Sequence, residues 1–182
     1  MKFIFLTMVF ILAVSSIGLC AVPDPNAGIS AINYYGLSET TNGIGSGEFA
    51  GNEMYGSSGL ISGYGIFAKR FRAAATTYSD FGLAIKTGSP NWSLLVGQRR
   101  ITSDNDDNNA GELFYGATFK QGLSRNLSAY ATYQKGVRFA TKIFGISYDV
   151  TDFIQLNVCW KNYADNNGTT FKGIGESLQI KF

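Results

Sequence analysis

From Lys172 to the last residue, apolar and polar side chains take alternate positions, and the same two-residue period recurs through most of the chain. Ile174, Leu178, Ile180 and Phe182 share one face of this terminal segment. Gly173, Gly175, Ser177, Gln179 and Lys181 share the other. Successive residues of a strand point to opposite sides of a sheet, so this pattern describes strands with one apolar and one polar face. Upstream, Ile154, Leu156, Val158 and Trp160 alternate with Gln155, Asn157, Cys159 and Lys161. Residues 144–148, 127–134, 112–120, 92–99 and 80–86 repeat the period, and 59–70 does so more weakly. After residue 21 there is neither a 3.6-residue stripe nor an apolar run long enough to cross a bilayer as a helix. The fold class expected is all-β.

What covers the apolar face decides between two architectures. In a soluble sandwich the apolar face is buried and the polar face meets water, usually carrying many charges. Here charged residues are only 15% of the chain, against about a quarter in soluble domains. The polar faces hold mostly Gly, Ser, Thr, Asn and Gln. That suits a wet or networked interior, with the apolar face turned to lipid. Each segment also approaches the length of a tilted membrane strand, about 9–11 residues. The expectation is a closed antiparallel transmembrane β-barrel of eight strands over residues 59–182, with residues 22–58 as an amino-terminal periplasmic segment. Residues 29–36 and 47–55 offer an extra hairpin, with Gly56-Ser57-Ser58-Gly59 as its exit turn; ten strands would then result, also an even number. A soluble secreted β-barrel or sandwich that binds a ligand remains the competing architecture.

Residues 1–21 read as an address label. Lys2 precedes an almost wholly apolar run from Phe3 to Gly18, and Leu19-Cys20-Ala21 then leads into Val22-Pro23. This is the layout of a signal peptide cleaved after Ala21. Cleavage would leave Cys159 as the only cysteine and so no internal disulfide.

Short polar turns, Thr87 to Pro90, Gln121 to Asn126 and Asp149 to Asp152, alternate with longer polar loops, Ser103 to Ala110 and Ala164 to Thr170. Phe182, Tyr148, Phe119 and Phe153 fall near the short-turn ends, and Trp160, Tyr163, Tyr133 and Phe171 toward the other. Two aromatic belts are what membrane interfaces favour. With the tail Ser177-Leu178-Gln179-Ile180-Lys181-Phe182 and the turn Tyr148 to Asp152, residues 59–182 resemble the small bacterial outer-membrane β-barrels, of the OmpA membrane-domain and OmpX type. The resemblance implies a bacterial outer-membrane location and contact with outer-membrane lipids and lipopolysaccharide. It also implies reading of Leu178, Ile180 and Phe182 by the outer-membrane assembly machinery. Enzymes of similar architecture resemble one another in using a histidine, and this chain has none. No catalytic, cofactor or metal site is therefore expected.

Lys69, Asp80, Lys86, Arg99, Glu112 and Lys161 fall on inward-facing positions. A small barrel's interior is filled by side chains, and buried charge must be paired. These six are expected to form a lumen charge network, with Asp80 and Glu112 as the acids and the pairs left open. Glu176 breaks the pattern, because strict alternation puts it on the lipid face unless a bulge at Gly173 or Gly175 turns it. The loop from Asp104 to Asn109 begins like a calcium loop, but Asn109 stands where glycine is needed and Tyr115 where the bidentate glutamate belongs. A solvated acidic loop is the plainer reading. Net charge of +2 gives no nucleic-acid footprint. The functional expectation is a structural, surface-interaction or envelope-integrity role with a filled lumen; a narrow porin-like channel for ions or small solutes is the alternative. Oligomeric state is not legible.

Overall fold

The computed structural model describes residues 32–41, 46–61, 63–73, 76–103, 106–166 and 169–180. These residues form an all-β, strongly curled antiparallel sheet of ten strands: β1 (Ile32–Thr41), β2 (Ser46–Ile61), β3 (Tyr64–Ala73), β4 (Thr76–Lys86), β5 (Trp92–Ser103), β6 (Asp106–Gly122), β7 (Leu127–Gly136), β8 (Phe139–Asp149), β9 (Ile154–Asp165) and β10 (Thr169–Ile180). Every strand pairs with its sequence neighbours. β1 also pairs with β10, from Asn33↔Ser177 to Thr41↔Thr169.

The preferred count of eight is corrected to ten. The segment assigned as a periplasmic lead instead supplies β1 and most of β2, paired from Ile32↔Met54 to Thr40↔Ser46; residues 22–31 lie outside the described residues. Glycines at 47, 51, 56 and 59 interrupt the side-chain period there, whereas ladder bonds come from the backbone and need no particular side chain. The proposed exit turn Gly56 to Gly59 is strand, paired with Ala68 to Gly65 of β3. The turn comes later, at Gly63, whose φ of 87° is where glycine alone is unstrained. Residues 59–70 are therefore the end of β2 and the start of β3, not one strand.

Loop lengths differ from expectation as well. β5 runs to Ser103 and β6 starts at Asp106, so the polar segment 103–110 is mainly strand. β9 and β10 similarly leave only 166–168 between them. Polar residues at these ends extend the hairpins rather than forming long loops. At the opposite end the turns are locally fixed. Thr87 Oγ1 donates to the Trp92 carbonyl at 3.1 Å. Thr151 Oγ1 accepts from the backbone N–H groups of Phe153 and Ile154 at 3.2 and 3.0 Å.

The two walls have opposite character. In β9, Ile154, Leu156, Val158 and Trp160 are exposed while Gln155, Asn157, Cys159, Lys161 and Tyr163 are buried. The pattern repeats around the sheet, and Phe81, Leu113 and Ile174 are 61%, 74% and 67% exposed. Inside sit Thr118, Thr132, Gln134, Thr141, Ser147, Gln155, Asn157 and Gln179. Register explains how large interior rings fit. Phe67, Gly82, Gly97 and Phe114 lie in one row across β3 to β6. The two phenylalanine rings, 6.3 Å apart, lie over the two glycines.

Glu176 points outward with no bulge, since β10 pairs with β9 without a break from Thr170↔Ala164 to Ile180↔Ile154. Leu178 is exposed and Ile180 half-buried; Phe182 lies outside the described residues. Tyr163 is not a belt residue, for it is buried inside. On the outer wall Trp92 contacts Phe119 at 5.0 Å, and Phe144 stacks on Trp160 at 6.0 Å. Cys159 is buried on the inner wall.

Candidate functional site

Hairpin register places four of the six predicted charged residues in a single row. Lys69 of β3 faces Asp80 of β4, Asp80 faces Arg99 of β5, and Arg99 faces Glu112 of β6. Their signs alternate along the row. All four side chains are on the inner wall and buried. Lys161 of β9 is also buried inside, on another part of the wall. Lys86 has the inward parity of β4 but is exposed, because it is the last residue of the strand and stands beside the Gly63 turn. It is not part of the cluster.

Asp80 is the hub. Arg99 Nε and Nη2 reach Asp80 Oδ1 and Oδ2 at 2.6 and 2.7 Å, a bidentate fork. Lys69 Nζ stands 3.3 Å from Asp80 Oδ2. Planar guanidinium matches carboxylate geometry, so Arg99 takes both oxygens while the lysine adds charge alone. Glu112 takes a different partner: its Oε2 accepts from the backbone N–H of Arg138 at 2.9 Å, in the β7–β8 connection. Glu112 Oε1 is buried without a hydrogen-bond partner.

Aromatic rings complete the cluster, and the sequence reading missed them. Contacts run Phe71–Tyr78 (5.7 Å), Tyr78–Tyr163 (5.3 Å), Tyr163–Phe139 (5.9 Å), Phe139–Phe114 (6.2 Å) and Phe114–Phe67 (6.3 Å). Strands β4 and β9 are not neighbours in the sheet, so the Tyr78–Tyr163 contact spans the interior. The Arg99 guanidinium carbon is 3.7 Å from the Phe139 ring centre and 5.5 Å from that of Tyr163. Lys161 Nζ is 4.4 Å from the Phe71 ring centre. A cation held against ring faces in a dry site gains attraction from the ring quadrupole. A signal for the rings was present: Phe67 and Phe71 flank Lys69 at two-residue spacing, Tyr78 precedes Asp80, Phe114 follows Glu112 and Tyr163 follows Lys161. Same-face neighbours of buried charges are themselves buried.

Toward the turn end the interior is polar. Thr118 and Thr132, opposed in register, share a hydroxyl contact at 3.0 Å. Gln155 Nε2 donates to Asp149 Oδ1 at 2.6 Å. Ser147 Oγ there, and Gln134 Oε1 and Thr141 Oγ1 near the loop end of β7 and β8, are buried without hydrogen-bond partners. The ion cluster and most of its rings fill the loop-end half, alongside Gln134 and Thr141. Among the described residues no three side chains are grouped to hold a metal. The contacts of the cluster are charge pairing and packing. Compared with family models, curated proteins and solved structures, the chain matches none.

Proposed function

We propose that the chain is an integral β-barrel of a bacterial outer membrane, closed and sealed inside, with a structural, surface-interaction or envelope-integrity role. One observation carries the reading: the outer wall is apolar and exposed while the inner wall holds the polar groups and charges. In water an apolar wall costs about 25 cal/mol for each Å² left uncovered, whereas in hydrocarbon it costs nothing. Outward rings at Tyr64, Trp92 and Tyr148 stand at the turn end of the wall, and Tyr133 and Trp160 stand further toward the loop end. That spacing suits the two interfaces of a bilayer. The filled loop-end half favours a seal over a channel. Export by a cleaved leader and insertion through the Leu178, Ile180 and Phe182 tail belong to the same proposal.

Gel migration tests insertion. The unheated protein is expected to migrate differently from the boiled one and to stay with membranes in carbonate. Recovery in the soluble periplasmic fraction overturns the proposal in favour of a secreted β-protein. Planar-bilayer recording tests the seal. The native protein is expected to give no discrete steady openings, and Arg99→Ala with Phe139→Ala is expected to produce them. Steady openings of the native protein would assign the narrow-channel role instead.

Processing has its own readout. Cleavage after Ala21 removes Cys20, the chain's other cysteine. Intact mass is expected to show the loss of residues 1–21. A full-length mass would oppose export by a cleaved leader.

A further inference from the structure

Outward lysines and arginines of the described strands are confined to one margin of the apolar wall. Arg70 stands near the loop end of β3, Arg100 of β5, Lys135 of β7, Lys142 of β8 and Lys172 of β10. At the turn-end margin the outward positions are Tyr64, Ile85, Trp92, Phe119, Leu127, Tyr148 and Ile154. The outward strand positions of the two margins therefore differ in charge, while Lys86 and Arg125 are exposed at the turns themselves. A margin rich in outward lysine and arginine is complementary to an anionic leaflet on its side.

The charge is densest across β8, β9 and β10. Lys142 faces Asn162, and Asn162 faces Lys172, so the three side chains form one outward row. Both lysines are exposed and Asn162 is half-buried. With strands about 4.8 Å apart, the two lysine Cα atoms are about 10 Å apart, with the asparagine amide between them. The row's surroundings are graded. One step toward the turn end lies the Phe144–Trp160 stack, with Ile174 beside it, and beyond that Ile146 and Val158. One step toward the loop end lie Ala140, Ala164 and Thr170, all small. Glu176, an outward acid, is two outward positions from Lys172, about 13 Å along the strand, and Glu48 of β2 holds a position in the same row two strands from Lys172, across Ser38 of β1.

We propose that Lys142, Asn162 and Lys172 bind the phosphate of an anionic lipid headgroup in the leaflet at the loop end, with an acyl chain lying on Phe144, Trp160 and Ile174. The proposal rests on the membrane reading above. Lysine stems extend along apolar surface and bring their ammonium groups to the headgroup level. The amide of Asn162 adds a donor to the phosphate oxygens. The small residues beyond the row leave room for the rest of the headgroup, and the aromatic stack beneath it supplies the floor.

The chain's two tryptophans allow a direct test, since Trp160 adjoins the row and Trp92 is at the opposite margin of the wall. The detergent-folded full chain is titrated with bromine-labelled phosphatidic acid and, separately, with bromine-labelled phosphatidylcholine. In the Trp92→Phe variant, fluorescence of Trp160 is expected to be half-quenched at about thirtyfold less phosphatidic acid than phosphatidylcholine, the effect of two lysines at an anionic headgroup. Adding Lys142→Gln and Lys172→Gln is expected to remove that preference while the heat-dependent gel shift persists. In the Trp160→Phe variant, Trp92 is expected to respond to the two lipids alike. Excess inorganic phosphate is expected to leave the preference in place, and its abolition would assign a free-phosphate site instead. Equal quenching of Trp160 by both lipids overturns the site but leaves the membrane reading standing. Absence of quenching of either tryptophan by either lipid overturns the membrane reading itself.

Discussion

Asp80→Ala is expected to destabilise the folded protein by about 3–5 kcal/mol, the cost of removing one partner from a buried ion cluster. The carboxylate holds the Arg99 fork and the Lys69 ammonium together, and both cations remain buried when it is gone. Arg99 cannot reach solvent without dismantling the ring contacts around it. Denaturant unfolding of the detergent-folded protein, followed by tryptophan fluorescence, measures the loss. A change below about 1 kcal/mol, the value of an exposed pair, would mean that water already solvates the cluster. A triple replacement, Asp80→Leu with Arg99→Met and Lys69→Met, is expected to recover much of the stability, because apolar groups of similar volume can replace a buried ion set. The comparison separates two roles. If the triple variant folds as well as the native protein, the charges are not needed to hold the interior together.

A single methyl group at Gly97 is the second large effect. A Cβ built there stands 2.5 Å from the Phe81 carbonyl oxygen and 2.7 Å from Phe114 Cζ. One obstacle is backbone of the paired strand, and the other is a ring held by Phe67 and Phe139. Neither is the free end of a flexible chain, so the strands themselves must part. Gly97→Ala is expected to cost about 3 kcal/mol, the upper range for overpacking. Gly88 is the control: it is exposed in the β4–β5 turn and a Cβ there meets nothing within 4 Å. Gly88→Ala is expected to change stability by no more than about 0.5 kcal/mol. Equal effects at the two positions would refute the assignment of Gly97 as the seat of the Phe114 ring.

Strands β4 to β10 were legible because each carries its apolar residues on one parity, as Ile154 to Trp160 do in β9. β1 and β2 were obscure for a local reason. Glycines dilute the period, and the paired backbone leaves no mark on side-chain order. Hairpin ends were misplaced because Asp106 to Asn109, Ala164 and Asp165, and Thr169 and Thr170 look like loop in composition, yet polar residues form strand readily once the ladder extends past the apolar band. The inward set Lys69, Asp80, Arg99, Glu112 and Lys161 followed from parity alone. Their pairing did not, because register depends on the number of residues in each turn. Asp80 holds both Arg99 and Lys69, and Glu112 turns instead to the Arg138 backbone. Lys86 was misread because parity says nothing about how far along the strand shielding reaches. The interior rings went unremarked because a phenylalanine next to a lysine on the same face reads as noise in an alternation count. In a packed interior it is the lysine's cover.

The pairing of β1 with β10 has a consequence for assembly order. Asn33 and Ser177 are partners separated by almost the whole described chain, and contacts so remote in sequence form slowly. Until the tenth strand emerges, the first has no mate on that side, and two rows of unmet amide and carbonyl groups stay open to adhesion by any other extended polypeptide. Closure of that seam waits on synthesis of the tenth strand, so contact order puts it late in folding rather than at the seed.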